Sequence, residues 1–307
     1  MPSIVRALGA MALALGGLAA ALPAQSLPVP ATAGEPRTLR VNGVERTFLL
    51  YLPPTYQRGK PAPLVLVFHA GGGDGRGIAP HTGFSRLAGR EGFVAAYPDG
   101  LDGRWNDGRR HAASHDDVGF VRALLDTLYR ELTLDSTRVY ATGISNGAML
   151  SYRLACELPG VFAAIAPVAA GMPASLRAGC AQAAPVSLLA IQGTADPVLP
   201  YAGGGAGRGR GSVLSATESI AFWAKLSGCT DPPTTTAEPD RIHDGTRVRL
   251  TAHAGCRDGR GVELYTVQGG GHTWPGGPPV GRSVGRVSRD LDATELIWSF
   301  FARHPRP

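Results

Sequence analysis

The stretch Val139 to Met149, Val-Tyr-Ala-Thr-Gly-Ile-Ser-Asn-Gly-Ala-Met, constrains the fold of this chain more than any other. A β-prone run over Arg138 to Ala141 meets Gly143-Ile144-Ser145-Asn146-Gly147, and a helix-compatible run follows to Cys156. Strand, sharp turn and helix in that order put the central serine in a strained backbone conformation at an exposed tip. The flanking glycines let strand and helix approach without a Cβ clash. In a chain with 42 glycines among 307 residues the Gly-x-Ser-x-Gly pattern alone says little, so the flanking elements carry the assignment. Ser145 is the candidate nucleophile.

The remaining pattern supplies a sheet for this turn. Pro63 to Phe68 is a continuous apolar run, as in a strand buried on both faces. Phe93 to Tyr97, Phe162 to Ala170, Val186 to Gln192 and Val262 to Val267 read as further strands, with a shorter candidate at Thr246 to Thr251. Helical stretches fall at Phe84 to Glu91, Asp116 to Leu132, Leu214 to Leu226 and Leu291 to Phe301, with Asp116 and Asp117 suited to cap the second. Strands alternating with helices predict an α/β fold, a mostly parallel central sheet with helices on both faces, and the strand, serine turn and helix around Ser145 make the α/β-hydrolase fold the expected type. Asn42-Gly43, between strand-like runs at Thr38 to Val41 and Arg46 to Leu52, predicts an antiparallel edge hairpin.

A serine hydroxyl needs a general base, and the base needs an acid that fixes its tautomer. In α/β-hydrolases these follow in the order serine, acid, histidine. Among later acids, Asp196 stands just past a buried strand, whereas Asp231, Asp240, Asp244 and Asp258 lie in polar, irregular sequence. Of His243, His253, His272 and His304, only His272 sits on a Gly-rich loop directly after the last strand. Asp196 and His272 are therefore the expected partners of Ser145. The Gly-rich loop His69-Ala70-Gly71-Gly72-Gly73 follows a central strand, and its N–H groups are candidates to stabilise an oxyanion. Gly71 and Asn146 are the expected donors. Trp105 lies in a long loop at the same sheet edge, where an aromatic either lines a substrate cleft or packs its own loop.

Arg6 precedes an apolar run from Ala7 to Leu22, and Pro23-Ala24-Gln25 follows, the pattern of a secretory signal peptide over residues 1–24. Residues 25–36 read as a mobile leader and 37–307 as a single catalytic domain. No other run is long and apolar enough to span a bilayer, so no stable membrane insertion is expected after signal removal. In an exported chain four cysteines suit two disulfides, and Cys156 with Cys180 and Cys229 with Cys256 is the pairing in which each bond brackets one local stretch. No CxxC or HExxH pattern occurs, so neither metal nor cofactor is expected. The net charge of +6 is diffuse, and the Gly/Arg-rich run at Gly203 to Gly211 is short and single, so no nucleic-acid partner is expected.

With these residues placed, the chain resembles the exported esterases that include polyhydroxybutyrate depolymerases and the feruloyl and acetylxylan esterases of the first carbohydrate-esterase type. The resemblance covers Arg46 to Phe301. It rests on His69-Ala70-Gly71-Gly72, Tyr97-Pro98-Asp99-Gly100, Trp105-Asn106, Asp116-Asp117-Val118-Gly119-Phe120, the Ser145 turn, Gly193-Thr194-Ala195-Asp196 and Gly270-Gly271-His272-Thr273-Trp274-Pro275-Gly276. It implies a metal-independent serine esterase acting on polyester, oligoester or acylated polysaccharide, with His69, Trp105 and Trp274 as substrate-binding residues. Ala70 departs from the glycine that many relatives carry after the histidine. The rival readings are a peptidase or acyltransferase of the same fold, and a secreted binding protein without catalysis.

Overall fold

The computed structural model describes residues 34–109, 114–205 and 211–307. The expected signal peptide and nearly all of the leader lie outside these residues. Glu35 and Pro36, expected at the end of the leader, instead open strand β1 (Glu35–Val41), paired antiparallel with β2 (Val44–Tyr51). The turn between them is Asn42-Gly43 with φ of 49° and 80°, the pair of positive values that a two-residue hairpin turn requires.

The central strands are β3 (Ala62–Phe68), β4 (Val94–Pro98), β5 (Leu134–Ile144), β6 (Ala164–Val168) and β7 (Ser187–Gly193). A two-residue pair, β8 (Gly204–Gly205) and β9 (Ser212–Val213), stands apart from them. The chain then adds β10 (Thr234–Ala237), β11 (Arg247–His253) and β12 (Val262–Gln268). Ten strands form one sheet in the order β1-β2-β4-β3-β5-β6-β7-β12-β11-β10. The strands from β4 through β12 in that order run parallel, and an antiparallel pair flanks them at each edge. This is the α/β-hydrolase arrangement that the sequence predicts.

Every residue of β3 is buried, and successive side chains serve opposite faces, as strand geometry demands. Leu64, Leu66 and Phe68 join a core with α3 (Asp117–Glu131), α4 (Asn146–Glu157) and α6 (Ala216–Leu226). Val65 and Val67 join a second core with α1 (Gly75–Thr82), α2 (Phe84–Glu91) and α7 (Ala293–Arg303). Disulfides join Cys156 to Cys180, at the end of the single turn α5 (Arg177–Cys180), and Cys229 to Cys256, the expected pairing.

Helix α1 and strand β10 are among the elements that escape the sequence pattern. Helix α1 reads as loop because it contains Gly75, Gly77 and Pro80, yet Asp74 caps it by accepting the Gly77 N–H at 2.8 Å. Strand β10, Thr-Thr-Thr-Ala, is exposed throughout, so no apolar alternation marks it.

Candidate active site

Ser145 connects β5 to α4 with φ 59° and ψ −115°, a conformation that β-carbon-bearing residues rarely adopt. The packing beneath it explains the flanking glycines. A Cβ at Gly143 would stand 2.6 Å from the Phe68 carbonyl oxygen, and one at Gly147 would stand 2.7 Å from the His69 carbonyl oxygen. Any larger residue would push the turn off the end of β3. The turn is held on its other side by the Ser145 N–H, which donates to the Val168 carbonyl at 2.9 Å.

The carboxyl ends of the neighbouring strands continue this rim. Ala169, after β6, donates its N–H to Ile191 of β7 at 2.8 Å, and Ala195, after β7, donates to Gly270, after β12, at 2.9 Å. Asp196 and His272 therefore sit on adjacent loops that are stitched together. His272 Nδ1 lies 2.7 Å from Asp196 Oδ2. A carboxylate only accepts, so Nδ1 is the donor in that bond, and in the neutral ring Nε2 is then the acceptor nitrogen. Asp196 is 7% exposed and its Oδ1 accepts the N–H groups of Val198 and Leu199, both at 2.8 Å. The His272 loop is pinned from behind by its N–H, which donates to Val284 O at 2.6 Å.

A small apolar cluster joins the two halves of the rim. Ala148 and Met149 from the start of α4 pack with Ala170, Leu199 and Val213. Leu199 lies three residues beyond Asp196, so the acid loop is seated on the helix that begins at the serine.

Asn146 is the first residue of α4, where backbone N–H groups have no acceptor within the helix. Gly71 lies directly beside it, since a Cβ at Gly71 would be 3.7 Å from the Asn146 Cβ. Gly72 and Gly73 spend their N–H groups inside the loop region, on Gly103 O at 2.7 Å and Ala70 O at 3.0 Å. The guanidinium of Arg104, an exposed residue, also borders Gly71.

Three residues expected to bind substrate are placed otherwise. His69 is 0% exposed, its Nε2 accepting the Gly100 N–H at 2.9 Å while Nδ1 bonds to Ala70 O at 2.7 Å. These partners define a neutral ring protonated on Nδ1, and burial lowers its pKa from the ordinary value. Trp105 is 1% exposed, with Nε1 donating to His69 O at 3.0 Å and its ring 4.8 Å from the His69 ring. Trp274, also 1% exposed, donates from Nε1 to Thr294 Oγ1 at 3.0 Å and packs edge-on against Phe84. All three brace loops under the rim, because an indole or imidazole buried on every side has no surface left for a substrate.

The structure adds one buried pair that sequence reasoning missed. Arg46 on β2 reaches Asp117 Oδ1 at 2.7 Å, donates to Asp99 O at 3.0 Å and lies 3.9 Å over the Phe120 ring. Asp117 is therefore more than a helix-start carboxylate, and its second oxygen accepts the Asn106 N–H at 2.6 Å. Position alone could not reveal this, since both residues occupy places that surface charges also favour. Among the described residues no cluster of three or more His, Cys, Asp or Glu could hold a metal ion, and no helix is long and apolar enough to cross a membrane.

Comparisons with known proteins identify the family. The family model described as esterase PHB depolymerase matches residues 46–198. The chain is 30% identical over 298 residues to NocK of Nocardia uniformis subsp. tsuyamanensis, named as an esterase, covering 91% of this chain and 85% of that one. It is 32% identical to feruloyl esterase C of Emericella nidulans, with 85% of each chain covered. Among solved structures, the acetyl xylan esterase from Aspergillus awamori superposes with a TM-score of 0.61 at 16% identity, over 88% of this chain and 100% of that one, which shows a shared fold. The chain thus belongs to the polyhydroxybutyrate-depolymerase family of esterases and is a carboxylic ester hydrolase.

Proposed function

We propose that the protein is an exported serine esterase, a single catalytic domain that hydrolyses esters through an acyl-enzyme. The observation that carries this reading is the strained Ser145 elbow on the same sheet rim as the 2.7 Å His272–Asp196 pair. Ser145 Oγ attacks the ester carbonyl while His272 Nε2 takes its proton, and Asp196 stabilises the imidazolium through Nδ1. The N–H groups of Gly71 and Asn146 receive the developing oxyanion, each such donor contributing about 3 kcal/mol in comparable sites. His272 then protonates the leaving alcohol, and water repeats the attack on the acyl-enzyme, with His272 as base. The two disulfides support export.

The substrate class is an oligoester of the polyhydroxybutyrate type, after the description of the family model, or a feruloyl or acetyl ester of a polysaccharide, after the names of a relative and of the structural neighbour. Two measurements test the reading. An organophosphonate should label the wild-type protein at Ser145, and Ser145→Ala should abolish both labelling and hydrolysis of a short-chain chromogenic ester; unchanged turnover in that variant ends the assignment. Parallel release assays for hydroxybutyrate, ferulate and acetate from matched substrates then rank the ester classes.

A further inference from the structure

The two proposed oxyanion donors come from separate segments of chain, the loop after β3 and the first turn of α4, and neither segment by itself sets the gap between them. Trp105 touches both. Its indole N–H donates to the His69 carbonyl at 3.0 Å, two residues before Gly71. Its backbone N–H donates to Asn146 Oδ1 at 2.8 Å, and its carbonyl accepts from Asn146 Nδ2 at 3.1 Å. The side chain of Asn146 thus pairs with the backbone of Trp105 as a neighbouring strand would, and the Trp105 side chain anchors that pairing to the Gly71 loop.

A buried carboxylate completes the brace. Asp107 is 0% exposed, and its Oδ2 accepts from the same Asn146 Nδ2 at 2.7 Å. Arg109 offsets the cost of burying this charge, donating to Asp107 Oδ2 from Nη2 at 2.8 Å and from Nε at 3.0 Å. The loop is further tied to α4 by Arg153, which donates from Nη1 to Asn106 O at 2.8 Å. A charged acceptor at that distance is stronger than a neutral one, and it takes one of the two hydrogens on Nδ2 while Trp105 O takes the other.

We propose that Asp107 is a positioning residue which, through the Asn146 side chain and Trp105, sets the separation and aim of the Gly71 and Asn146 N–H donors. This rests on the oxyanion site proposed above. Asp107 touches no reacting atom, so its effect appears in the acyl-transfer step and not in substrate affinity. Small displacements matter because donors work only when aimed at the position the oxyanion will occupy.

The test compares Asp107→Ala, Asp107→Asn and Asn146→Ala on one chromogenic ester and on its thiono analogue, in which the carbonyl oxygen is replaced by sulfur. Sulfur is larger and a poorer hydrogen-bond acceptor, so a well-aimed pair of donors favours the oxygen ester. Asp107→Ala should lower kcat by at least about tenfold with KM within about twofold, and the oxygen-to-sulfur rate ratio should fall with it. Asp107→Asn, which keeps an acceptor for Asn146 Nδ2, should recover most of both. If Asp107→Ala fails to fold, Asn146→Ala cuts the shared Asn146–Asp107 bond from the other end, together with the two bonds to Trp105, while keeping the backbone N–H, and it should show at least the same loss of ratio. Full kcat, or a lower kcat with the ratio unchanged, overturns the proposal. Loss of activity in Ser145→Ala alongside an unaffected Asp107→Ala would sink the brace and leave the esterase reading standing, whereas an active Ser145→Ala removes the reading itself.

Discussion

His272 and Asp196 are 76 residues apart in sequence, yet Nδ1 of one and Oδ2 of the other meet at 2.7 Å. The contact is directional because the second carboxylate oxygen is already occupied by two backbone N–H groups, so Asp196 cannot rotate away from the ring. An imidazole held through Nδ1 presents Nε2 outward, the nitrogen that a serine hydroxyl would use.

Replacing that acid by its amide should therefore leave the fold and damage the chemistry. Asp196→Asn keeps an oxygen for Val198 and Leu199 but lets the amide NH₂ face the ring, which favours the tautomer protonated on Nε2. The expected loss in kcat is roughly 10⁴-fold with a native circular dichroism spectrum. A loss under tenfold would mean that Asp196 does not orient the base.

The positive φ at Ser145 is backbone strain, and it makes two substitutions at one position behave differently. Both Ser145→Gly and Ser145→Ala should be inactive, but glycine relieves the backbone, so Ser145→Gly should unfold at a temperature higher than Ser145→Ala by an amount reflecting about 1 kcal/mol. Gly147→Ala should go the other way, losing about 2 kcal/mol or more, because its Cβ would press on the carbonyl groups at the end of β3. Thermal unfolding of the three variants checks the order, and equal midpoints for the two serine variants would deny the strain.

Arg46 and Asp117 are both buried, so removing one partner leaves the other charged in the core. Asp117→Ala should cost about 3 kcal/mol or more, and the double variant Arg46→Met with Asp117→Leu should recover a large part of it. Denaturant midpoints decide this. Similar losses in the single and double variants would show that the pair matters for its shape more than for its charge.

Each disulfide closes a short loop, with sequence separations of 24 and 27. In the chain-entropy account a loop of that length is worth about 3 kcal/mol. Calorimetry before and after reduction should show a lower unfolding temperature for the reduced protein, and the two Cys→Ala pair variants should each reproduce part of the drop.

Burial lowers the pKa of His69, His81, His253 and His304 from their ordinary value of 6.5. The unfolded chain then binds more protons than the folded one below that pH, so the stability these rings contribute is whole above about 6.5 and declines as the solution is acidified through the folded values. The unfolding temperature should fall on going from pH 7.5 towards pH 5, and His69→Gln should flatten the slope, since Nδ1 and Nε2 of His69 are committed to Ala70 and Gly100 in the neutral form. A slope unaltered in that variant would place the effect in the other rings.

The sequence by itself determined the parts whose physics is local. Positive φ at Asn42-Gly43 follows from a two-residue turn, the buried run Ala62–Phe68 from its unbroken apolar character, and the elbow from glycines on either side of Ser145. Asp196 and His272 were legible because each follows a buried strand, and strand ends in a parallel sheet share one rim. Both disulfide pairings agree with proximity in sequence. Tertiary structure alone decided which polar and aromatic side chains of these loops are closed into the core. His69, Trp105 and Trp274 stand in loops at the active rim and were expected to meet substrate, but each is closed in by segments distant in sequence: His69 by Gly100, Trp105 by Asn146, Trp274 by Thr294. The same holds for Arg46 with Asp117, 71 residues away, and for Asp107 with Asn146, 39 away. A residue's own neighbours in sequence set its backbone conformation and strand or helix face, whereas the partner for a buried donor or charge is chosen by whatever the completed sheet brings alongside it.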